Sequence, residues 1–307
     1  MTSVSVVILN WNGWQDTLEC LKSMEKLVLP NISLETIIVD NASTNNSIKE
    51  INTYIRTKSH ISLVENSTNL GFAAGNNVGI KKALNSGANY ILILNNDTIV
   101  DKNLIKVLVA FMEENPKAGA ASPKMYFAKG FEFHKDRYKK DDLGKVIWYA
   151  GGDFDWNNVY GSNHGVDEVD SGQFNEPQET TFGSGACLFL RGSVVQKVGM
   201  FDERYFLYLE DTDLCMRIRN AGFKIYMVPS AHLWHKVSQS SSIGSNLNDY
   251  FITRNRLLFG ATYATLRANI ALFRESIRFL FSGRLWQKKG VQDYYLRKFG
   301  RGSWKTA

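Results

Sequence analysis

The chain is poor in cysteine and has no long apolar run. Its 307 residues include three cysteines, Cys20, Cys187 and Cys215, far apart, odd in number and in no CxxC spacing. That pattern excludes a disulfide framework and a cysteine zinc knuckle, and it suits a reducing compartment. No uninterrupted apolar stretch reaches the roughly 18 residues of a spanning helix. Met1 leads directly into strand-like sequence, with no basic region or small-residue cleavage site. A cytoplasmic protein without export signal or membrane span is therefore expected. Repeats and low-complexity segments are also missing, and 44% hydrophobic with 12% aromatic residues is enough to fill the core of one large domain with an appendage.

Acidic residues are scarce at one end. From residue 250 to 307 only Glu275 and Asp293 oppose eight arginines and four lysines, so this tail carries +10 and the whole-chain +6 leaves −4 for residues 1–249. Such a tail can meet nucleic acid, an anionic membrane or an acidic partner, and charge alone does not choose among them.

What is present alternates between two periods. "VSVVIL" (4–9), "TIIV" (36–39), a run at 61–64 and "YILIL" (90–94) read as strands. Between them, residues 14–26 place Leu18, Leu21, Met24 and Leu27 at helical spacing, and 47–54 and 75–84 read as further helices. Strand and helix in alternation predict an α/β fold with a Rossmann-like, mostly parallel sheet flanked by helices, whose ligands sit beyond the carboxyl ends of the strands. Three strands end on polar clusters: Asn10-Trp11-Asn12, Asp40-Asn41-Ala42-Ser43 and Asn95-Asn96-Asp97. Asn and Asp also begin turns. Three such tips on one rim nevertheless suit a site where one carboxylate accepts from a base or ribose and another holds a divalent cation beside a diphosphate.

Other motifs are less specific. "NLGFAAGNNVG" (69–79) lacks the Lys-Ser/Thr of a Walker loop and does not fit GxGxxG. Residues 130–180, rich in Gly, Asn and aromatics, read as a long loop over the site, with Trp148, Trp156 and Tyr160 available to stack on a sugar. An ordered block "TFGSGACLFL" and a helix near 193–198 follow. In "YLEDTDLCMR", Glu210, Asp211 and Asp213 crowd together, which can raise a carboxylate's pKa or create a cation site; an acidic first helical turn is the plainer reading. His232 and His235 are too few for zinc, and either can complete an oxygen-rich cation shell. In the tail, Leu266, Ile270, Phe273, Ile277 and Leu280 share one helical face away from Arg267, Arg274 and Arg278.

Taken in order, "VVILNWNG", "IIVDNAS", "NLGFAAGNN", "ILNND", "FGSGACLFLRG", "VGMFDERYFLYLEDTDLCMRIRNAGFKI" and "WHKVSQSS" resemble family 2 glycosyltransferases of the GT-A fold. Within that group they are most similar to the bacterial rhamnosyltransferase-like branch, and "YFITRNRLLF" in the tail is also familiar from it. The resemblance implies transfer of a sugar from a nucleotide diphosphate donor, dTDP-L-rhamnose or a UDP-sugar, to a glycan or lipid-linked acceptor hydroxyl with inversion. It implies a Mg²⁺ or Mn²⁺ cofactor and no nucleic-acid partner. By position, Asp211 would be the base. Asn10, Asn12, Asp40, Asn41, Ser43, Gly71, Phe72, Asn76 and Asn96 would bind the donor nucleotide. Asp97 and His235 would hold the metal, with Asn-Asn-Asp in place of Asp-x-Asp. Gly183, Ser184, Gly185, Glu210, Asp213 and Trp148 would face the acceptor.

The expected organisation is a GT-A domain over 1–249, divided into a nucleotide-sugar half (1–125) and an acceptor half (126–249), followed by a basic extension of amphipathic helices (250–307). That extension would meet the inner face of the cytoplasmic membrane, dock on the catalytic domain or form a homodimer. Two other classes are weaker. A nucleotidyltransferase would open with a Gly-rich basic loop, whereas "LNWNGW" has one Gly and no Lys or Arg. A non-catalytic sugar-nucleotide or glycan-binding protein would have little need of both Asp97 and Asp211.

Overall fold

The computed structural model of the protein describes residues 1–237 and 244–304. The end of the "WHKVSQSS" motif and the last three residues lie outside them. The first half is a series of strand–helix units: Thr2–Asn10 (β1), Trp14–Met24 (α1), Ile32–Asp40 (β2), Ser47–Ile55 (α2), Ile61–Glu65 (β3), Gly71–Asn85 (α3) and Tyr90–Asn95 (β4). The strands pair in parallel in the order β3-β2-β1-β4. Helices cover both faces, so the strands are continuous apolar runs. Ile8, Ile37, Ile38 and Ile93 have no exposed surface, and each contributes about 1.5–3 kcal/mol of burial.

The second half extends the same sheet. Thr98–Val100 (β5), Leu104–Glu114 (α4), Ala118–Phe127 (β6), Ile147–Tyr149 (β7), Gly152–Asp155 (β8), Tyr160–Asn163 (β9), Gln178–Glu179 (β10), Cys187–Arg191 (β11), Gly192–Val198 (α5), Glu210–Asn220 (α6) and Lys224–His235 (β12) follow. Strand β11 runs antiparallel between β4 and β6, and β12 runs parallel to β6. The architecture is the GT-A arrangement, a mostly parallel central sheet flanked by helices.

Four features differ from the sequence expectation. Helix α3 begins at Gly71, not residue 75, because its first amides are capped from elsewhere in the chain: Phe72 N and Ala73 N donate to the Phe206 carbonyl at 2.7 and 3.2 Å. Residues 130–180 contain short strands, with β7 added to β6 and β8–β9 forming a hairpin. Trp156, half-buried, packs on Phe154 and Phe259 at 4.7 and 6.3 Å between ring centroids instead of extending from a loop. Finally, a boundary at 249/250 falls inside the next helix, Asn246–Tyr263 (α7). Tyr250, Phe251, Arg254, Asn255 and Phe259 of α7 are fully buried, so α7 belongs to the body of the protein.

Helices Leu266–Ser282 (α8) and Leu285–Tyr295 (α9) complete the tail. Helix α8 packs inward through Ala268, Leu272 and Ser276, while Leu266, Phe273 and Phe281 are 78%, 54% and 81% exposed. Of the expected stripe only Leu280 packs on the core; Ile270 and Ile277 are exposed as well. The stripe is therefore not docked on the catalytic domain.

Candidate active site

Strand register brings the three polar tips together, since Asn10 lies opposite Asp40 and Leu9 opposite Asn95. Asp40 has no exposed surface. Its carboxylate accepts from Ser43 N (2.8 Å), Ser43 Oγ (2.7 Å) and Asn10 Nδ2 (2.7 Å). Asn12 joins the network, its N–H donating to Ser43 Oγ (2.8 Å) and its Oδ1 accepting from Thr44 N (2.8 Å). Thr17 donates to Asn10 Oδ1 (2.8 Å) and accepts from Asn96 Nδ2 (3.0 Å), which also reaches Gly13 O. Asn41 uses its full hydrogen-bonding capacity, accepting from Asn66 Nδ2 and Leu70 N and donating to Asn69 Oδ1 and Gly71 O. The rim is a closed polar network that fixes the strand ends and the entry to α3.

A second group of residues surrounds a cavity of about 390 Å³. Asn95, Asp97, Trp148, Ser184, Gly185, Glu210, Asp211 and His235 line it, together with Phe72 and Tyr160. Asp97 and His235 meet because β5 pairs antiparallel with β12, setting His235 opposite Thr98. Their Oδ1 and Nε2 are 3.0 Å apart. His235 is buried, its Nδ1 has no hydrogen-bond partner among the described residues, and the Trp148 ring meets it edge-on at 4.6 Å.

Helix α6 supplies the carboxylates. Asp211, half-buried, accepts from Gly185 N at 2.9 Å through Oδ2 and from Thr212 N at 2.7 Å through Oδ1. A Cβ at Gly185 would stand 3.2 Å from Phe72 and 3.3 Å from Asp211 Oδ2, so glycine is what permits this close approach. Burial pushes the Asp211 carboxyl above the ordinary range, against the pull of those N–H donors. Glu210 is raised well above its ordinary value by burial and by Asp211 beside it, and its Oε2 has no partner among the described residues.

The other expected residues stand elsewhere. Asn10, Asn12, Asp40, Asn41, Ser43, Gly71 and Asn96 belong to the rim network or its edge rather than the cavity wall. Asn76 is buried in α3, its Nδ2 bonded to Phe72 O at 2.9 Å. Gly183 packs against Ser122. Asp213 is withdrawn from the cavity and held by Arg217 Nε (2.8 Å) and Tyr263 OH (2.9 Å). His232 faces Asp101 at 3.7 Å. The three cysteines are free and buried, and burial pushes the Cys20 and Cys215 thiols up to about 12.

Among the described residues no group of three or more His, Cys, Asp or Glu side chains converges. Asp97 and His235 alone supply an oxygen and a nitrogen donor side by side, with one ring nitrogen unpaired. That set fits a Mg²⁺- or Mn²⁺-type ion whose remaining ligands are phosphate oxygens and water.

The parallel half of the sheet thus ends in a polar rim beside a cavity that holds a carboxylate–histidine pair and a raised carboxylate, and residues 5–199 match the model of glycosyl transferase family 2. The chain belongs to that family. It is 27% identical over 229 residues to the N-acetylglucosaminyl-diphospho-decaprenol L-rhamnosyltransferase of Mycobacterium tuberculosis, covering 69% of this chain and 72% of that protein. It is 26% identical over 248 residues to the dTDP-rhamnosyl transferase RfbF of Shigella flexneri, covering 78% and 75%. Among solved structures, GalNAc-T7 with UDP, GalNAc and Mn²⁺ superposes with a TM-score of 0.70 at 17% identity, over 96% of this chain and 55% of that one. S. aureus TarS 1-349 in complex with UDP-GlcNAc gives 0.58 at 16% identity, over 96% and 79%. These two likenesses speak for the fold of the glycosyltransferase. Among its described residues, no helix is long and apolar enough to cross a membrane.

Several residues of the glycosyltransferase escaped the sequence reading. Thr17 ties the first and third tips together, and Arg256 lines the cavity with its guanidinium 4.7 Å from the Tyr160 ring centroid. Arg254 and Asn255 are buried beneath the turn before α6. A signal for these two was present, because in "YFITRNRLLF" they share a helix face with Tyr250, Phe251, Leu257 and Leu258.

Proposed function

We propose that the glycosyltransferase is an inverting, cation-dependent rhamnosyltransferase that uses dTDP-L-rhamnose and a lipid-linked glycan acceptor. The observation that carries this reading is the cavity shared by Asp97, His235 and Asp211. Asp211 takes the proton of the acceptor hydroxyl, whose oxygen attacks the anomeric carbon as the bond to the donor diphosphate breaks, the electron pair leaving with the diphosphate. A raised carboxyl pKa suits a base of this kind. Asp97 and His235 would hold a Mg²⁺ or Mn²⁺ ion that neutralises charge on the leaving diphosphate. The rim network keeps the strand ends in register beside the donor, and Trp148 and Tyr160 offer faces for the acceptor. The raised pKa of Glu210 favours its neutral form, which would offer the ligand a hydrogen-bond donor there rather than a second charge. The two bacterial relatives, both rhamnosyltransferases, support rhamnose; the UDP complexes of the structural neighbours leave a UDP-sugar as the second reading.

The tail supports a membrane location for this reaction. On α8 the exposed stripe of Leu266, Ile270, Phe273, Ile277 and Phe281 is bordered by Arg267, Arg274 and Arg278, the pairing of an interfacial helix on an anionic bilayer. Arg256 links that edge to the cavity through Glu275 of α8 (3.0 Å). Cosedimentation with phosphatidylglycerol vesicles should fall sharply for Phe273→Ser/Phe281→Ser. Unchanged cosedimentation overturns the bilayer assignment, as does a wild type that dimerises through this face without binding vesicles.

The function is tested by thermal-shift titration with dTDP, UDP, GDP and ADP, each with and without Mn²⁺ or Mg²⁺, followed by turnover of the matching donor sugar. Selective, cation-dependent stabilisation by dTDP and release of dTDP from dTDP-L-rhamnose are expected. Stabilisation by UDP alone moves the assignment to a UDP-sugar, and no stabilisation by any nucleotide contradicts a donor site.

A further inference from the structure

We propose that Asn255 and Arg254 of α7 are positioning residues for the transfer reaction: they hold the turn at 204–209 in the shape that sets Asp211 against Gly185. This rests on the reading of Asp211 as the base.

The turn is unusual in its backbone. Phe206, Tyr208 and Leu209 have φ of 65°, 70° and 71°, in the left-handed region that residues with side chains rarely adopt, and none is glycine. Leu209 is the N-cap residue of α6, where an Asn, Asp, Ser or Thr would ordinarily cap the helix with its side chain. Glu210 and Asp211 follow immediately, so whatever fixes Leu209 also fixes the first turn of α6. Left-handed residues in succession persist only where their surroundings over-determine them, and such places cluster at working sites.

The surroundings are specific. Asn255 Nδ2 donates to three carbonyls of the turn, Tyr205 O (2.9 Å), Leu207 O (2.8 Å) and Tyr208 O (2.8 Å). Two hydrogens shared among three acceptors require an amide centred within the turn. Arg254 donates to Arg204 O (3.1 Å) and Tyr205 O (2.9 Å), and its Nη1 reaches Gly300 O (2.6 Å) near the end of the described chain. Of the other two carbonyls, Phe206 O caps α3 and Leu209 O accepts from Asp213 N at 2.8 Å. The Phe206 ring lies on Gly71 and stacks on Phe251 of α7, with centroids 5.0 Å apart and planes at 9°. Both polar side chains of α7 are fully buried. A buried arginine and asparagine on a helix need partners, and theirs are the carbonyls of the one turn that delivers the proposed base. The tail thereby becomes part of the active-site scaffold rather than an appendage.

The test compares Asn255→Ala with wild type in the full-length protein for kcat, donor KM, dTDP affinity and Tm. A loosened turn displaces Asp211, whereas Asn10, Asp40, Ser43 and Thr17 keep their own hydrogen bonds at the rim, so kcat should fall by about tenfold to a hundredfold while donor KM and dTDP affinity stay within about twofold. A folded Asn255→Ala enzyme with wild-type kcat overturns the proposal, and so does a loss in which KM and dTDP affinity deteriorate as much as kcat. If Asn255→Ala does not fold, Asn255→Ser, which retains one hydroxyl donor, replaces it. The same kcat-specific loss at smaller size supports the proposal, and unchanged kcat overturns it. Asp211→Asn, measured alongside, separates the two ideas. Full activity in Asp211→Asn removes the base reading; an inactive Asp211→Asn with a fully active Asn255 variant removes only the positioning role.

Discussion

The rim and the cavity of this glycosyltransferase are built from the same kinds of residue and use them oppositely. At the rim, Asn10, Asp40, Asn41 and Thr17 are buried, and each is hydrogen-bonded to other residues of the rim or of the entry to α3. At the cavity, Glu210 Oε2 and His235 Nδ1 are buried without partners, and the Glu210 and Asp211 carboxyls are held above their ordinary range. A satisfied buried network rigidifies, whereas unsatisfied or displaced groups keep chemistry in reserve for a ligand. The rim is therefore read as scaffold and the cavity as the reacting site.

Substitutions can break this comparison, and the largest effect is expected at the base. Asp211→Asn should lower kcat by roughly a hundredfold to ten-thousandfold with dTDP affinity nearly unchanged, read from steady-state rates and calorimetric titration. A variant with near-normal kcat would move the chemistry away from α6.

At the rim the effect should be on stability. Asp40→Ala leaves Asn10 Nδ2 and the Ser43 N–H without their carboxylate, which costs about 1–3 kcal/mol. For a chain of this size that lowers Tm by roughly 2–5 °C, measured without nucleotide. If Tm held and only dTDP binding fell, Asp40 would be a ligand contact and the division between the regions would fail.

The pH dependence of kcat sharpens the assignment further. The proposed base, Asp211, would act only when ionised, and its pKa is raised, so activity should be lost as pH falls through that raised value. The acid limb of the profile should lie above the ordinary carboxylate value of about 4 and disappear from the residual activity of Asp211→Asn. The smallest effect is expected for Glu210→Gln. The folded pKa of Glu210 is raised, so its contribution is fully present below the unfolded pKa and is lost as pH rises through the folded one. Glutamine has no such loss, and Tm should rise by about 2 °C at pH 8 and by less at pH 5 in melting curves.

Much of this was legible in the sequence. Parallel strands covered on both faces must be continuous apolar runs, and their polar ends mark one rim, so Asn10, Asp40 and Asn95 could be aligned before any coordinates. What could not be read were partnerships. Asp40 is recognisable as a rim carboxylate, but its burial depends on Ser43 and Asn10 folding over it. The start of α3 is set by the Phe206 carbonyl, distant in sequence. Strands β7 to β10 have two to four residues each, too short to carry a period. The stripe on α8 was visible, whereas its exposure was decided by Ala268, Leu272 and Ser276 taking the inward face. Arg254 and Asn255 share a helix face with apolar residues, a signal that is easily missed because polar residues within a helix read as its solvent side until their partners are known.

The central claim is that the cavity, rather than the rim, meets the donor diphosphate. It is tested most directly by the Mn²⁺ dependence of dTDP-induced stabilisation in wild type and Asp97→Ala. The account predicts a thermal shift that grows with Mn²⁺ in the wild type and does not respond to Mn²⁺ in Asp97→Ala. Equal Mn²⁺ dependence in the two proteins would contradict it.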